Sequence, residues 1–270
     1  YAFKYLWSPL VDNYKLPILI KLGHRRSWLL LSQILIIFAL IFTAFTNPQN
    51  NLFFTALFIT ILAFFSATQD ILIDAFRIES APQFLQGPMS SMYIAGYRLA
   101  MLVAGAGSLW LAAFFGTEIY EQNVWKKVYL IMSSFMLVGI FATLTSDEPK
   151  INRNLKTDNH LNFLLTILIS VVGFIFLYSI IHNPFGKDDI FASFLFSISR
   201  LILCFIFAFM IINLLIFIKF TSKNKITKSY LSPILNFVSR YGKFAFLILL
   251  LISMYRIADI VMGVMANIFY

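Results

Sequence analysis

Apolar residues in this chain neither alternate nor recur every third or fourth position; they fill whole stretches. Runs of about twenty such residues cross a hydrocarbon core roughly 30 Å thick. They fall near 28–46, 52–77, 89–115, 124–145, 161–182, 190–220 and 244–270, and the residues before Asp12 read as the end of one more. Segments that are apolar all round show no helical stripe, as expected of spans. Long Leu, Ile and Phe runs without alternation exclude a transmembrane barrel. The pattern predicts an all-α, polytopic membrane helix bundle.

Composition agrees. Of 270 residues, 60% are hydrophobic and 12% charged, with a mean hydropathy of +0.83; a soluble globular chain is nearer half apolar and about a quarter charged. The formal net charge is +9, and its placement explains it. One set of alternating loops, between Lys15 and Lys243, holds thirteen Lys and Arg, whereas the opposite set holds only Lys126, Lys127 and Lys187. The positive-inside rule puts the richer set in the cytoplasm. The surplus is a topology signal, so nucleic acid is not expected as a partner.

Cys204, the single cysteine, lies inside an apolar run, so no disulfide framework is expected. His24, His160 and His182 sit in loops or at span ends without ligand spacing, and no metal site or cofactor is expected. There is no phosphate loop and no nucleophile elbow, so the chain does not read as an enzyme. It lacks an initiator Met and opens on the tail of an apolar segment, as an internal fragment of a longer protein would.

Charges inside the spans are the candidate chemistry, because a charge at the bilayer centre costs about 2.5–3.5 kcal/mol on insertion scales. In "SATQDILIDAFRIES", successive residues turn by about 100°. Ser66, Asp70, Asp74 and Arg77 therefore share one polar face about 80° wide, which must point into the bundle. Arg77 can pair with Asp74 at i,i+3, leaving Asp70 in need of another cation or a proton. The cluster reads either as proton and substrate chemistry or as a structural lock near the cytoplasmic edge. In the next span "YIAGYRLAMLVAGAGSLWL" offers Tyr97 and Arg98, with Arg98 either snorkelling or binding an anion. The last span places Arg256 and Asp259 on one face, three residues apart. Arg200 is expected to snorkel or to meet an acid from another helix, and Lys4 is ambiguous.

The loop "SPLVDNYKLPILIKLGHRR" puts an acid at one helix end, then Gly and a basic pair before the next helix. Asp12, Gly23, Arg25 and Arg26 in this arrangement resemble the loop signature of the major facilitator superfamily, with the spacing stretched and His24 as an unusual filler. "YAFKYLWSPLVDNY", "FSATQDILIDAFRIE", "YIAGYRLAMLVAGAGSLWLA" and "WKKVYLIMSSFMLVG" together resemble the AmpG-type muropeptide permeases of that superfamily, and "LILLLISMYRIADIVMG" is similar to their seventh helix.

The resemblance implies that 1–149 belongs to an N-terminal facilitator half, from part of helix two to helix six. Residues 150–243 would then be a cytoplasmic linker plus an inserted helix pair, and 244–270 the first helix of the other half. It further implies proton-driven import of anhydro-muropeptides (GlcNAc-anhydroMurNAc, with or without peptide) across the bacterial inner membrane. That import serves peptidoglycan recycling and, in some bacteria, β-lactamase induction. The implied partners are an amphipathic glycan or glycopeptide substrate, protons and the lipid bilayer, in a monomer. Arg98 and Arg256 would hold carboxylates, Tyr97 and Tyr255 would stack on sugar, and Asp70 or Asp259 would take the coupling proton. A related facilitator carrying another bulky anion, such as acetyl-CoA, is the alternative.

Overall fold

The computed structural model describes residues 4–14, 16, 22–116, 121–149, 160–184 and 189–269; the side chains of 13, 160, 161, 164, 190, 225, 229, 256, 258–260 and 262–269 lie outside that description. Every regular element among them is helical. The chain divides into two compact units, Tyr1–Thr157 and Asp158–Tyr270.

The first unit begins with a 3-10 turn, Lys4–Leu6, and a short helix α1, Ser8–Asn13, whose Pro9 sits in the first turn, where its missing N–H costs nothing. Helices α2 (His24–Phe45), α3 (Leu52–Ser80), α4 (Gln86–Leu102), α5 (Ser108–Phe115) and α6 (Gln122–Thr145) follow. α2 lies between α3 and α6 and packs on both. Val11, Leu29 and Leu72 form a buried core there, flanked by Trp7, Trp28 and Phe76. Gln33, 3% exposed, donates Nε2–H to Thr143 Oγ1 of α6 at 2.9 Å. An unpaired amide in that place would cost several kcal/mol.

α4 and α5 are one span interrupted by a π-helical turn over Val103–Gly107, the "VAGAG" stretch. Neither α4 nor α5 buries a residue. At the opposite end from the basic loops, Asn47 Nδ2 donates to Gln122 Oε1 at 3.1 Å, and Lys126 lies 4.2 Å from the Phe45 ring centroid. The negative face of the ring attracts the ammonium.

In the second unit α7 (His160–Ile180) packs against α8 (Ile190–Phe217). Gly173 makes this close approach possible, since a Cβ there would overlap Ile211 Cδ1. Cys204 is fully buried. Arg200 has no ionic partner among the described residues: its guanidinium stacks 3.6 Å from the Tyr178 ring centroid and donates to the Tyr178 carbonyl oxygen. The aromatic face attracts the cation electrostatically, while the Arg200 Nε is buried without a hydrogen-bond partner among the described residues. After α8 come α9 (Lys223–Ile226), a π-helical turn (Thr227–Leu231), α10 (Ser232–Tyr241) and α11 (Phe244–Phe269).

Among the described residues five helices are long and apolar enough to cross a membrane: His24–Phe45, Leu52–Ser80, Gln83–Phe115, Gln122–Thr145 and Phe191–Phe217. The two remaining expected spans, 161–182 and 244–270, fall on helices as well. They coincide with α7, 21 residues, and α11, 26 residues; within their described residues Leu165–Ile180 is a shorter apolar helix, and Phe244–Tyr255 follows Ser232–Tyr241 at a bend of 108°. The span expected over 52–77 continues to Ser80, because its last turn is held by ionic contacts rather than by lipid.

Candidate functional site

Ion pairs in the first unit gather into two layers. In the deeper one, the Lys4 ammonium donates to Asp70 Oδ2 and lies 3.9 Å from Asp74 Oδ2. Arg77 reaches Asp74 Oδ1 at 3.7 Å, the i,i+3 pair expected from the sequence. The Tyr93 hydroxyl of α4 donates to Asp70 Oδ1 at 3.0 Å, and the Arg77 guanidinium lies 5.6 Å from the Tyr93 ring centroid. Two carboxylates thus face two cations. The surplus negative charge left by Asp70, Asp74 and Arg77 alone is balanced by Lys4. Asp70 is 27% exposed and Asp74 39%, so the cluster is only partly sealed from water.

The second layer centres on Arg25, which is 4% exposed. Its Nε and Nη2 donate to Glu79 Oε2 and Oε1 at 3.0 and 2.7 Å, and Nη1 donates to Asp12 Oδ1 at 2.5 Å. The fork geometry uses the planar guanidinium as an ammonium could not. Glu148, beyond the end of α6, accepts the Arg25 and Arg26 backbone N–H groups at 2.8 and 3.0 Å. That carboxylate neutralises the positive end of α2. Arg26 works in the other direction, donating Nε–H to the Thr143 carbonyl at 3.0 Å and Nη2–H to the Leu144 carbonyl at 2.6 Å, so that it caps the end of α6. Gly23 makes the junction: at φ 99° it turns the chain directly over the Glu148 carboxylate.

The layers fix a depth. Arg25 and Glu79 lie at the ends of α2 and α3 on the basic side, which marks the cytoplasmic surface. Asp70 is nine residues before Glu79, or about 13 Å at 1.5 Å per residue, and Lys4 precedes Asp12 by a similar length of chain. The Asp70 layer is therefore the one farther from the basic end of α3.

A scan against protein families matches the Major Facilitator Superfamily over residues 1–269. The chain belongs to that superfamily. Its facilitator relatives include "Putative transporter AmpG 3" of Rickettsia prowazekii (strain Madrid E), 40% identical over 163 residues, 60% of this chain and 37% of that protein. "Anhydromuropeptide permease" of Escherichia coli (strain K12) is 39% identical over 149 residues, 55% of this chain and 28% of the relative. The resemblance to AmpG-type proteins is thus shown, and the chain spans about a third of the length of the curated relatives it matches. No solved structure matches. A facilitator is a multi-pass membrane transporter, not an enzyme, and among the described residues no group of three or more His, Cys, Asp or Glu is placed to hold a metal ion.

The loop residues Asp12, Gly23, Arg25 and Arg26 meet in this facilitator's second layer, joined by Glu79 and Glu148. Neither glutamate stood out in the sequence, since each reads as a helix-end acid. In the first layer the phenol is Tyr93, a residue the sequence did not single out. Tyr97 is 56% exposed, and Tyr93, one turn earlier on the same face, reaches Asp70 instead. The i,i+4 spacing of the two tyrosines held that signal. Arg98 is exposed and has no ionic partner among the described residues. The side chains of Arg256 and Asp259 lie outside the described residues, so their expected pairing is not described.

Proposed function

We propose that this chain is part of a proton-coupled importer of anhydro-muropeptides in the bacterial inner membrane, feeding peptidoglycan recycling. In this reading residues 1–149 come from the N-terminal half, with the helix pair of 150–243 inserted before the first helix of the other half, 244–270. The observation that supports it is the Lys4–Asp70–Tyr93 contact, a carboxylate held between a cation and a phenol on three separate elements, within a helix apolar enough to cross a membrane. Protonation of Asp70 would remove the attraction to Lys4 and free an ammonium. Facilitators hold cargo near the midplane and rock around it, so a freed cation there suits the carboxylates of a muropeptide stem. Asp74 and Arg77 would keep the rest of the cluster neutral. Arg98 and Arg256 would contribute further positive charge, Tyr97 and Tyr255 stacking surface, and Asp259 an alternative proton carrier. The importer would act as a monomer.

The test is uptake of labelled GlcNAc-anhydroMurNAc-peptide by a recycling-defective bacterium expressing the full-length protein. Wild type should accumulate label, an uncoupler should abolish accumulation, and Asp70→Asn should equilibrate label without accumulating it. Accumulation by Asp70→Asn that still collapses with the uncoupler would remove Asp70 from the coupling role. Competition by acetyl-CoA, with no competition by unlabelled muropeptide, would overturn the cargo.

A further inference from the structure

Residues 219–243 join two apolar helices, yet they do not cross. They contain Lys219, Lys223, Lys225, Lys228, Arg240 and Lys243, and no Asp or Glu occurs between Asp189 and Asp259. The segment is therefore purely cationic, and it lies on the side that the loop charges place in the cytoplasm.

Its helix α10 is sharply two-faced. At about 100° per residue, Phe237, Tyr241, Ile234, Val238 and Leu235 fall within one arc of about 160°. Ser239, Ser232, Asn236 and Arg240 occupy the opposite side. Ile234 is 63% exposed and Leu235 56%, so among the described residues of this unit most of the apolar face is uncovered. The axis of α10 turns by 108° into the following apolar helix at Gly242, whose φ of 52° accommodates the corner. A helix roughly perpendicular to a span lies close to the membrane plane. Phe163 of α7 stacks on Tyr230 with ring centroids 6.3 Å apart, which ties the start of this arm to the unit. Beside it an open cavity of about 510 Å³ is bordered by Lys219, Thr221, Ser222 and Lys223. Two ammonium groups and two hydroxyls are the chemistry that receives a phosphate diester.

We infer that 219–243 is a membrane-surface arm that recognises anionic phospholipid headgroups of the cytoplasmic leaflet. Its occupant is the lipid surface: the apolar arc of α10 enters the headgroup boundary while Lys219, Lys223 and their neighbours meet the phosphates. Charge complementarity selects this occupant, because an uninterrupted cationic segment beside an apolar arc matches an anionic interface on both counts. A protein groove lined by apolar and neutral groups would leave the lysines unmatched.

The test uses the full-length protein in a Cys204→Ser background, reconstituted in phosphatidylcholine bilayers with or without phosphatidylglycerol. Spin labels are introduced singly by Ile234→Cys and Asn236→Cys. The label at 234 should relax with oxygen, as in lipid, and the label at 236 with a water-soluble nickel chelate. A label at 234 sealed from both reagents would overturn the assignment and place protein on that face. In parallel, spin-labelled phosphatidylglycerol and phosphatidylcholine report lipid preference. Lys219→Gln, Lys223→Gln and Lys228→Gln should lower the preference for phosphatidylglycerol by up to about fivefold per cation removed. The corresponding Arg substitutions should retain it. An unchanged preference in the triple Gln variant would refute headgroup recognition.

Discussion

Replacing Gly23 by Ala tests the cytoplasmic layer at its tightest point. Gly23 has φ 99° and ψ 168°, a region open essentially to glycine alone, where another residue costs on the order of 1–3 kcal/mol. An added Cβ would also lie 2.5 Å from Glu148 Cγ and 2.6 Å from Oε2, inside van der Waals contact. Glu148 would have to withdraw, and with it the bonds from the Arg25 and Arg26 N–H groups. A carboxylate at a helix N-terminus contributes about 0.3–1 kcal/mol when exposed and up to about 2 when partly buried, as Glu148 is. The two effects together predict a loss of about 2–5 kcal/mol for Gly23→Ala.

The assay is denaturant-titrated unfolding of the full-length protein in micelles, followed by tryptophan fluorescence, as a double-mutant cycle with Glu148→Ala. Once the carboxylate is gone, Gly23→Ala should cost only its backbone share, so the cycle should show a coupling of about 1–2 kcal/mol. Additivity within about 0.5 kcal/mol would mean that the two residues do not share one constraint, and the account of the junction would fail.

Arg25→Ala leaves Asp12 and Glu79 facing each other and should destabilise the protein by about 3–5 kcal/mol in the same titration, with partial recovery when Glu79→Gln is added. Tyr93→Phe removes a hydrogen bond to a carboxylate and should cost about 1.5–3 kcal/mol. Tyr97→Phe should stay within about 0.5 kcal/mol, and an inverted ranking would contradict the placement of Asp70. Gly173→Ala should overpack α7 against α8 at about 1–3 kcal/mol; because the pressure falls on Ile211 Cδ1, adding Ile211→Val should recover part of the loss.

The apolar pattern alone was enough for the all-helical membrane bundle, because hydrocarbon leaves the backbone no other way to satisfy its own hydrogen bonds in segments of this composition. The polar stripe of Asp70, Asp74 and Arg77 was equally legible, since helical geometry fixes neighbours at i,i+3 and i,i+4 without reference to the rest of the fold. Contacts between elements were not. Lys4 lies 66 positions from Asp70, Glu79 lies 54 from Arg25, and Glu148 lies 123 from Arg25. No local period links such positions, and only the packing of α2 against α3 and α6 brings them together. The preference of Asp70 for Tyr93 over Tyr97 was decided in the same way. Both phenols share a face of α4, and the height at which α4 meets α3 determines which one arrives. Burial tightens these choices, for a charge withdrawn from water must take whatever partner the packing brings within reach.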